Sequence, residues 1–302
     1  MNILISGGTG LIGRALTRNL LADGHHVSIL SRSPQKYAAA FPDAELLQWD
    51  GRTADGWAHA LAQADAVINL AGAGVADKRW TPARKRLILD SRINAGTAIV
   101  AAIEQSPRKP AVLIQSSAVG FYGENPGDTP LTEAAPAGDD FLAQVCVAWE
   151  ASTAAVEALG VRRAVIRTGV VLAAKGGALP RMALPFRFFV GGRIGSGRQW
   201  TPWIHIADEV AAIRFLLENE AAHGTFNLSA PNPVTNAEFS RALGKALHRP
   251  ALIPVPSLAL KALFGEMASV LLGGQRAIPQ NLQSLGFTFQ YSDAAAALRD
   301  LL

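Results

Sequence analysis

Short apolar runs alternate along this chain with stretches in which apolar residues recur every three or four positions. The runs fall at 2–6, 26–31, 45–48, 66–70, 112–116 and 163–167, and each has the length and Val/Ile/Leu content of a strand. The intervening stretches at 11–22, 57–62, 83–104 and 140–159 read as helices. Strands that are apolar throughout, rather than at every second residue, are buried on both faces, so this alternation predicts a parallel sheet covered on each side by helices. From Gly176 the character changes, as Gly, Pro, Phe and Trp become frequent through Pro180, Pro185, Gly191-Gly192 and Gly195-Ser196-Gly197. That stretch reads as elaborated loops. Helical patterns return at 236–247, 257–272 and 292–302, with Asn236 and Ser257 at N-cap positions and Ser292 preceding Asp293 at the last helix start. The expected division is a first domain over 1–175, with later strands from 203–230 returning to it, and a region of substrate-side loops and a small helical domain over 176–302. No repeat or low-complexity linker separates the two, so the second should pack onto the first.

Composition narrows the class. At 302 residues, 49% hydrophobic and 17% charged, the chain has the material for a substantial core and is not a disordered polymer. Its single cysteine, Cys146, excludes an internal disulfide framework and fits a reducing compartment. The histidines show no ligand spacing, so no metal is expected. The chain starts directly on strand residues Asn2-Ile3-Leu4-Ile5 without a basic leader, from which no signal peptide and a cytoplasmic location are expected. The longest apolar candidate, 258–272, is interrupted by Lys261 and Glu266 and falls short of a membrane span. A net charge of +4 suits an anionic small-molecule ligand as readily as a nucleic acid. The densest basic stretch, Lys78-Arg79 followed by Arg84-Lys85-Arg86, reads either as a solvated loop or as a rim around an anionic cofactor or substrate. No aromatic-interleaved basic stripe accompanies it, so nucleic acid is not an expected partner.

The segment Ser6-Gly7-Gly8-Thr9-Gly10-Leu11-Ile12-Gly13 leaves the first strand and opens a helix. In that context Gly7 permits a tight turn, Gly10 lets the backbone approach a pyrophosphate, and Gly13 allows close helix–strand packing. Thr9 lies within this loop, and the amides of Leu11 and Ile12 begin a helix whose positive end faces the phosphates. The fold class is therefore α/β, a Rossmann-type doubly wound parallel sheet holding a dinucleotide, with a smaller, mainly helical C-terminal region. The end of the second strand selects the nucleotide. An NAD site places an acidic side chain there to accept from the ribose 2′-hydroxyl. Here the strand ends Leu30-Ser31-Arg32-Ser33-Pro34, with no Asp or Glu from Val27 to Phe41. Arg32 can fork onto a 2′-phosphate while Ser31 and Ser33 donate to it. The expected cofactor is NADP(H), favoured about ten- to a hundredfold.

The Gly-x-x-Gly-x-x-Gly spacing resembles the short-chain dehydrogenase/reductase superfamily, in particular its extended, nucleotide-sugar epimerase/dehydratase branch. The resemblance implies that Asp50 hydrogen-bonds the adenine amine and that Asn69-Leu70-Ala71-Gly72 passes under the cofactor. Further stretches are similar to one atypical subgroup with a small C-terminal domain of unassigned role: Arg79-Trp80, Ser91-Arg92-Ile93-Asn94, Ser116-Ser117-Ala118-Val119-Gly120-Phe121-Tyr122-Gly123, Asp140-Phe141-Leu142, Trp149-Glu150 and Trp203-Ile204-His205-Ile206-Ala207-Asp208. The likeness covers essentially the whole chain and implies cofactor contact at Ser116.

One departure matters for chemistry. The superfamily's usual catalysis needs a Tyr-x-x-x-Lys pair, in which the lysine lowers the tyrosine's pKa. Tyr37 is followed four residues on by Phe41, Tyr122 by Pro126 and Tyr291 by Ala295, so the motif occurs nowhere. The Asn125-Pro126-Gly127 segment rules out a helical turn beside Tyr122. Ala118 fills the usual catalytic Ser/Thr slot, which leaves Ser117 as the first candidate to polarise a substrate carbonyl and Tyr122 as a distant second. His205 reads as a buried structural histidine. The segment from Met182 to Trp203, with Arg187, Arg193, Arg198 and Gln199 among Phe188, Trp200 and Trp203, is expected to line the substrate side of the cleft. Two functions fit: an NADP(H)-dependent oxidoreductase or epimerase-like enzyme acting on a small molecule, and an NADPH-binding sensor or interaction protein without turnover.

Overall fold

The computed structural model describes residues 1–124 and 127–302; Asn125 and Pro126, on which the expectation about the segment after Tyr122 rests, lie outside the described residues. The dinucleotide-fold half runs β1 (Asn2–Ser6), α1 (Leu11–Ala22), β2 (His26–Ser31), α2 (Pro34–Tyr37), β3 (Glu45–Gln48), β4 (Ala66–Asn69), α3 (Pro82–Gln105), β5 (Val112–Ala118), α4 (Phe141–Ala151) and β6 (Arg162–Thr168). It continues with β7 (Val170–Leu172), α5 (Leu179–Arg187), β8 (Trp200–Thr201), β9 (Trp203–His205), α6 (Ile206–Glu218) and β10 (Gly224–Leu228). The chain ends with β11 (Val234–Thr235), α7 (Asn236–Ala246), α8 (Ser257–Phe264), α9 (Ser269–Leu272), α10 (Gln280–Ser284) and α11 (Ala294–Leu301).

Seven strands form one parallel sheet in the order β10-β6-β5-β4-β1-β2-β3. Strand order reverses between β1 and β4, the switch point at which open α/β sheets bind ligands beyond the strands' carboxyl ends. Side chains alternate across the sheet. Ile3, Ile5, Ile29, Ile68, Ile114 and Ile166 pack with α1 and α6 on one face, whereas Leu4, Leu30, Val67 and Leu113 pack with α3, Trp49 and Trp57 on the other. Both faces are thus buried, which is why these strands carry no polar alternation. Strand β10 pairs along β6 from Gly224 to Leu228. A separate apolar cluster joins Trp203, Phe186, Phe239, Leu243 and Leu298, tying α5, α7 and α11 together.

Three helical patterns resolve differently from the sequence expectation. The 57–62 stretch is a 3₁₀ turn, Ala58–Ala62, preceded by the fully buried Trp57; five residues are too few to sustain an α-helix. The 140–159 stretch stops at Ala151, where Ser152 donates back to the Trp149 carbonyl, and resumes as a 3₁₀ turn from Ala154. The 257–272 stretch breaks at Gly265, whose φ of +61° ends α8 before a 3₁₀ turn and α9. The N-caps shift by one residue at two helices. Thr235, in a capping box with Glu238, caps α7 and frees Asn236 to accept from the Ile194 amide, while Ser257 is the first residue of α8 after Pro256. Asp293 caps α11.

Candidate functional site

The loop between β1 and α1 has little room for side chains. Gly7 sits at φ +72°, and a Cβ there would come 2.6 Å from the Leu70 carbonyl oxygen. A Cβ on Gly13 would overlap the Gly7 carbonyl oxygen and the Gly8 backbone. Gly10 is different: the nearest atom to a Cβ would be Gly7 O, at 3.2 Å, and the position is exposed. Gly10 also caps α1 without a side-chain hydrogen bond. Among the described residues the amides of Leu11, Ile12 and Gly13 find no acceptor. Uncapped amides at a helix start, beside a glycine that leaves its approach open, form a cradle for a phosphate. This donor set fits a dinucleotide pyrophosphate.

At the end of β2, Ser31 is buried and accepts from the Ser33 amide at 3.1 Å, whereas Arg32 and Ser33 are exposed. The Arg32 guanidinium makes no hydrogen bond or ion pair among the described residues. Arg14, which sequence reading passed over, lies nearby. Its Nε donates to the Thr9 carbonyl at 2.7 Å and its Cζ stands 5.5 Å from the Tyr37 ring centre, with Lys36 Nζ 5.7 Å from the same ring. The only available signal in the sequence was a basic residue immediately after Gly13. Asp50 is exposed just past β3; its carboxylate accepts from the amides of Arg52 and Thr53 and from the Thr53 hydroxyl, and those amides hold its pKa below the ordinary carboxylate range.

Across the switch point runs a buried polar chain that no motif announced. Ser6 Oγ donates to Asn69 Oδ1 at 2.6 Å, Asn69 Nδ2 donates to Gln115 Oε1 at 2.9 Å, and Gln115 Nε2 donates to the Ser116 carbonyl at 2.7 Å. The chain fixes the ends of β1, β4 and β5 against one another and so sets where Leu70, Ala71 and Gly72 leave the sheet. Gly72 faces the buried Arg92, whose guanidinium donates to the Ala73 and Ile88 carbonyls and lies 4.6 Å from the Trp149 ring centre. Burial lowers the Arg92 pKa to about 10. Arg92 remains a cation at neutral pH.

Ser117 and Tyr122 are linked through Glu150 and Arg167. Ser117 is buried and its hydroxyl donates to Glu150 Oε1 at 2.6 Å. Glu150 in turn takes both arms of Arg167, Nε at 2.8 Å and Nη2 at 2.9 Å. Arg167 Nη1 donates to the Tyr122 hydroxyl at 3.2 Å, and Tyr122 donates to Asn227 Oδ1 at 2.7 Å. A hydroxyl carries one proton, so in this arrangement neither Ser117 nor Tyr122 has a donor left for a substrate carbonyl. Burial also raises the Tyr122 pKa, which opposes a tyrosinate base. Cys146 is buried nearby with its thiol pushed up to about 11, so it is not a thiolate nucleophile. Both expected catalytic side chains are thus joined in one hydrogen-bonded network with Glu150, Arg167 and Asn227. His205 caps α6 by accepting from the Ala207 amide and stacks on Tyr291 at 3.9 Å, as a structural histidine should.

Beyond the carboxyl ends of the strands lies a cleft of about 640 Å³, lined by Glu124 after β5, by Ile194, Gly195, Ser196 and Gln199, and by Ser257, Lys261, Gly265, Glu266 and Ser269 of the C-terminal helices. The 194–199 part of the expected substrate segment lines it. The aromatic part does not: Trp203 is core, Phe188 is exposed, and Trp200 packs under Arg276 at 4.6 Å. The basic stretch borders this cleft, with Lys85 paired to Glu266 and Arg84 to Asp77. Among the described residues there is no cluster of metal-ligating side chains, and no helix is long and apolar enough to cross a membrane.

Residues 3–229 match the NAD dependent epimerase/dehydratase family, and residues 255–301 match a domain of unknown function, DUF1731. The chain is 41% identical to the epimerase family protein YfhF of Bacillus subtilis, over all of this chain and 98% of that protein. It is likewise 41% identical to the chloroplastic SDR39U1 homolog of Arabidopsis thaliana, covering all of this chain and 87% of the relative. Among solved structures, the human epimerase family protein SDR39U1 (isoform 2) with NADPH superposes with a TM-score of 0.89 at 36% identity, covering all of this chain and 99% of that one. The Thermus thermophilus UDP-glucose 4-epimerase complex with NAD shares the fold, with a TM-score of 0.78 at 18% identity, covering 99% of this chain and 97% of that one.

Proposed function

This chain belongs to the NAD dependent epimerase/dehydratase family, and from that premise we propose that it binds NADP(H) and acts on a small molecule held in the cleft under the C-terminal helices. The carrying observation is Arg32: an exposed guanidinium, without a partner among the described residues, stands where an NAD site would hold an acid. The human relative crystallised with NADPH supports the same cofactor. In this reading Gly7, Thr9, Gly10, Leu11, Ile12 and Gly13 cradle the pyrophosphate, and Ser31 and Arg32 read the 2′-phosphate. Asp50 keeps one acceptor position for the adenine amine, and Leu70, Ala71, Gly72 and Ser116 line the way to the nicotinamide. The bound cofactor supplies hydride chemistry. The protein contributes orientation and exclusion of water, because its buried hydroxyls are committed elsewhere; hydride transfer depends on geometry more than on a side-chain acid. Binding titrations test the cofactor reading: Arg32→Ala should weaken NADPH about ten- to a hundredfold while changing NADH little. Equal affinity of the unmutated protein for the two nucleotides overturns it.

A second reading, an NADPH-binding sensor or interaction protein without turnover, draws on the absent Tyr-x-x-x-Lys pair together with the committed hydroxyls of Ser117 and Tyr122. A substrate screen following NADPH consumption separates the two. Turnover that survives Tyr122→Phe supports the enzyme without a tyrosinate base, and the absence of turnover across the screen favours the sensor.

A further inference from the structure

We propose that one face of the molecule docks on an anionic membrane surface: the end of α5, the loop after it and the segment before α8. Phe188, Phe189, Val190, Leu252 and Ile253 enter the lipid interface there, and Arg187 and Arg249 meet its headgroups. Two stretches of chain make this face. The Ile253 amide donates to the Gly191 carbonyl at 3.1 Å and the Val255 amide to the Arg193 carbonyl at 2.9 Å, so they run side by side. The Arg249 guanidinium, 4.7 Å from the Phe189 ring centre, ties them together again. Leu184, one turn before Phe188 on α5, extends the face. Its side chains stand clear of the fold: Phe188 is 69% exposed, Phe189 57% and Leu252 81%, and Leu184, Val190 and Ile253 are 49–52% exposed. Apolar residues exposed to this degree project from a surface rather than line a groove, and together they form the kind of patch that marks an interaction site. Phe189 and His248, which precedes Arg249, are also the two non-glycine residues with positive φ among the described residues, at +60° and +55°. An exposed phenylalanine in left-handed backbone carries strain that no burial offsets.

Charge selects the occupant. No Asp or Glu occurs from Ala158 to Ala207 or from Phe239 to Gly265, the two stretches that supply the face, although the chain carries 24 acids in all. Arg187, Arg193 and Arg249 are exposed on them, and none has an ion pair among the described residues. A second copy of the chain would bring like charge against like charge. An anionic bilayer does the opposite. Its phosphoryl groups accept from guanidinium donors, and its fluid interface takes in protruding apolar side chains without a matching pocket. Such a contact lies on the membrane and needs no spanning helix. The same loop runs on from Phe189 into the cleft wall at Ile194, Gly195 and Ser196, so the docking face and the cleft share one stretch of chain.

Flotation of the full chain with vesicles tests the assignment, using phosphatidylcholine alone in one arm and phosphatidylcholine with phosphatidylglycerol in the other. Binding to the anionic vesicles is expected, and it should weaken as salt is added. Arg187→Ala and Arg249→Ala should each lower the partition coefficient about fivefold, and Phe188→Ser combined with Leu252→Ser about tenfold or more. Phe189→Gly should weaken binding while leaving Tm unchanged or raising it, because glycine takes the left-handed backbone without strain; loss of the face is thereby told apart from loss of the fold. No flotation with the anionic vesicles, equal flotation with both vesicle types, or unaltered binding of the variants would each overturn the proposal. So would a dimer in sedimentation velocity that Leu252→Ser dissolves, since the face would then belong to a second copy.

Discussion

Glu150 accepts three hydrogen bonds, from Ser117 and from both arms of Arg167, and its partner guanidinium lies 3.3 Å from the Phe121 ring centre. The Arg167 side chain is only 6% exposed. Removing its counter-charge would strand a buried cation, which costs about 3–5 kcal/mol in comparable pairs. Glu150→Gln should therefore lower unfolding free energy by that order in urea titrations. Ser117→Ala, which removes one donor and leaves the ion pair, should cost about 1 kcal/mol. If the two substitutions cost the same, the network does not centre on the ion pair. Sequence motifs brought Ser117 and Tyr122 into view, but their partners stand 33 and 105 residues away along the chain. A motif identifies a position; the commitment of its proton depends on what the fold brings beside it.

At the scale of the element, α6 carries an acid with no charged partner among the described residues. Glu209, in its first turn, is fully buried, with Oε1 accepting from Thr168 at 2.9 Å and Oε2 without a partner. Burial raises its pKa to about 8. The native state thus keeps a proton that the unfolded chain, with its ordinary carboxylate, releases at lower pH. Between about pH 4.5 and about pH 8 the native state binds more protons, so this group's contribution to stability falls as pH rises through that window and levels off above it. Glu209→Gln should flatten the dependence and be more stable than the parent at pH 8, as denaturant unfolding at pH 5 and pH 8 would show; parallel pH profiles for the two proteins would contradict a buried neutral acid. Asp208 and Glu209 stand in the first turn of α6, where acids complement the helix dipole. That one of those acids would be sealed under β6 was not legible, because burial depends on how deeply the helix settles against a sheet assembled from the whole first half.

Across the whole molecule, the C-terminal segment is latched to the dinucleotide half at α6. The Asp208 carboxylate accepts from the amides of Gln290 and Tyr291 at 2.8 and 2.9 Å, while His205 Nε2 lies 3.3 Å from an Asp300 carboxylate oxygen. Asp208→Ala would orphan both amides, and hydrogen exchange should quicken across 288–301 while the β1, β4 and β5 amides keep their protection. Uniform acceleration would mean that the segment is no separate unit. The sequence by itself determined the sheet class, the phosphate loop and the side chain at the end of β2, because strand periodicity, glycine conformation and a missing acid are local properties that act within a few residues. Tertiary structure alone decided that the Ser117 and Tyr122 hydroxyls meet Glu150 and Asn227, that a Ser6–Asn69–Gln115 chain sets the switch point, and that Lys261 and Glu124 share a cleft. These outcomes turn on which groups of opposite charge, or of matching donor and acceptor, meet across long chain separations, and a linear pattern carries no record of those distances.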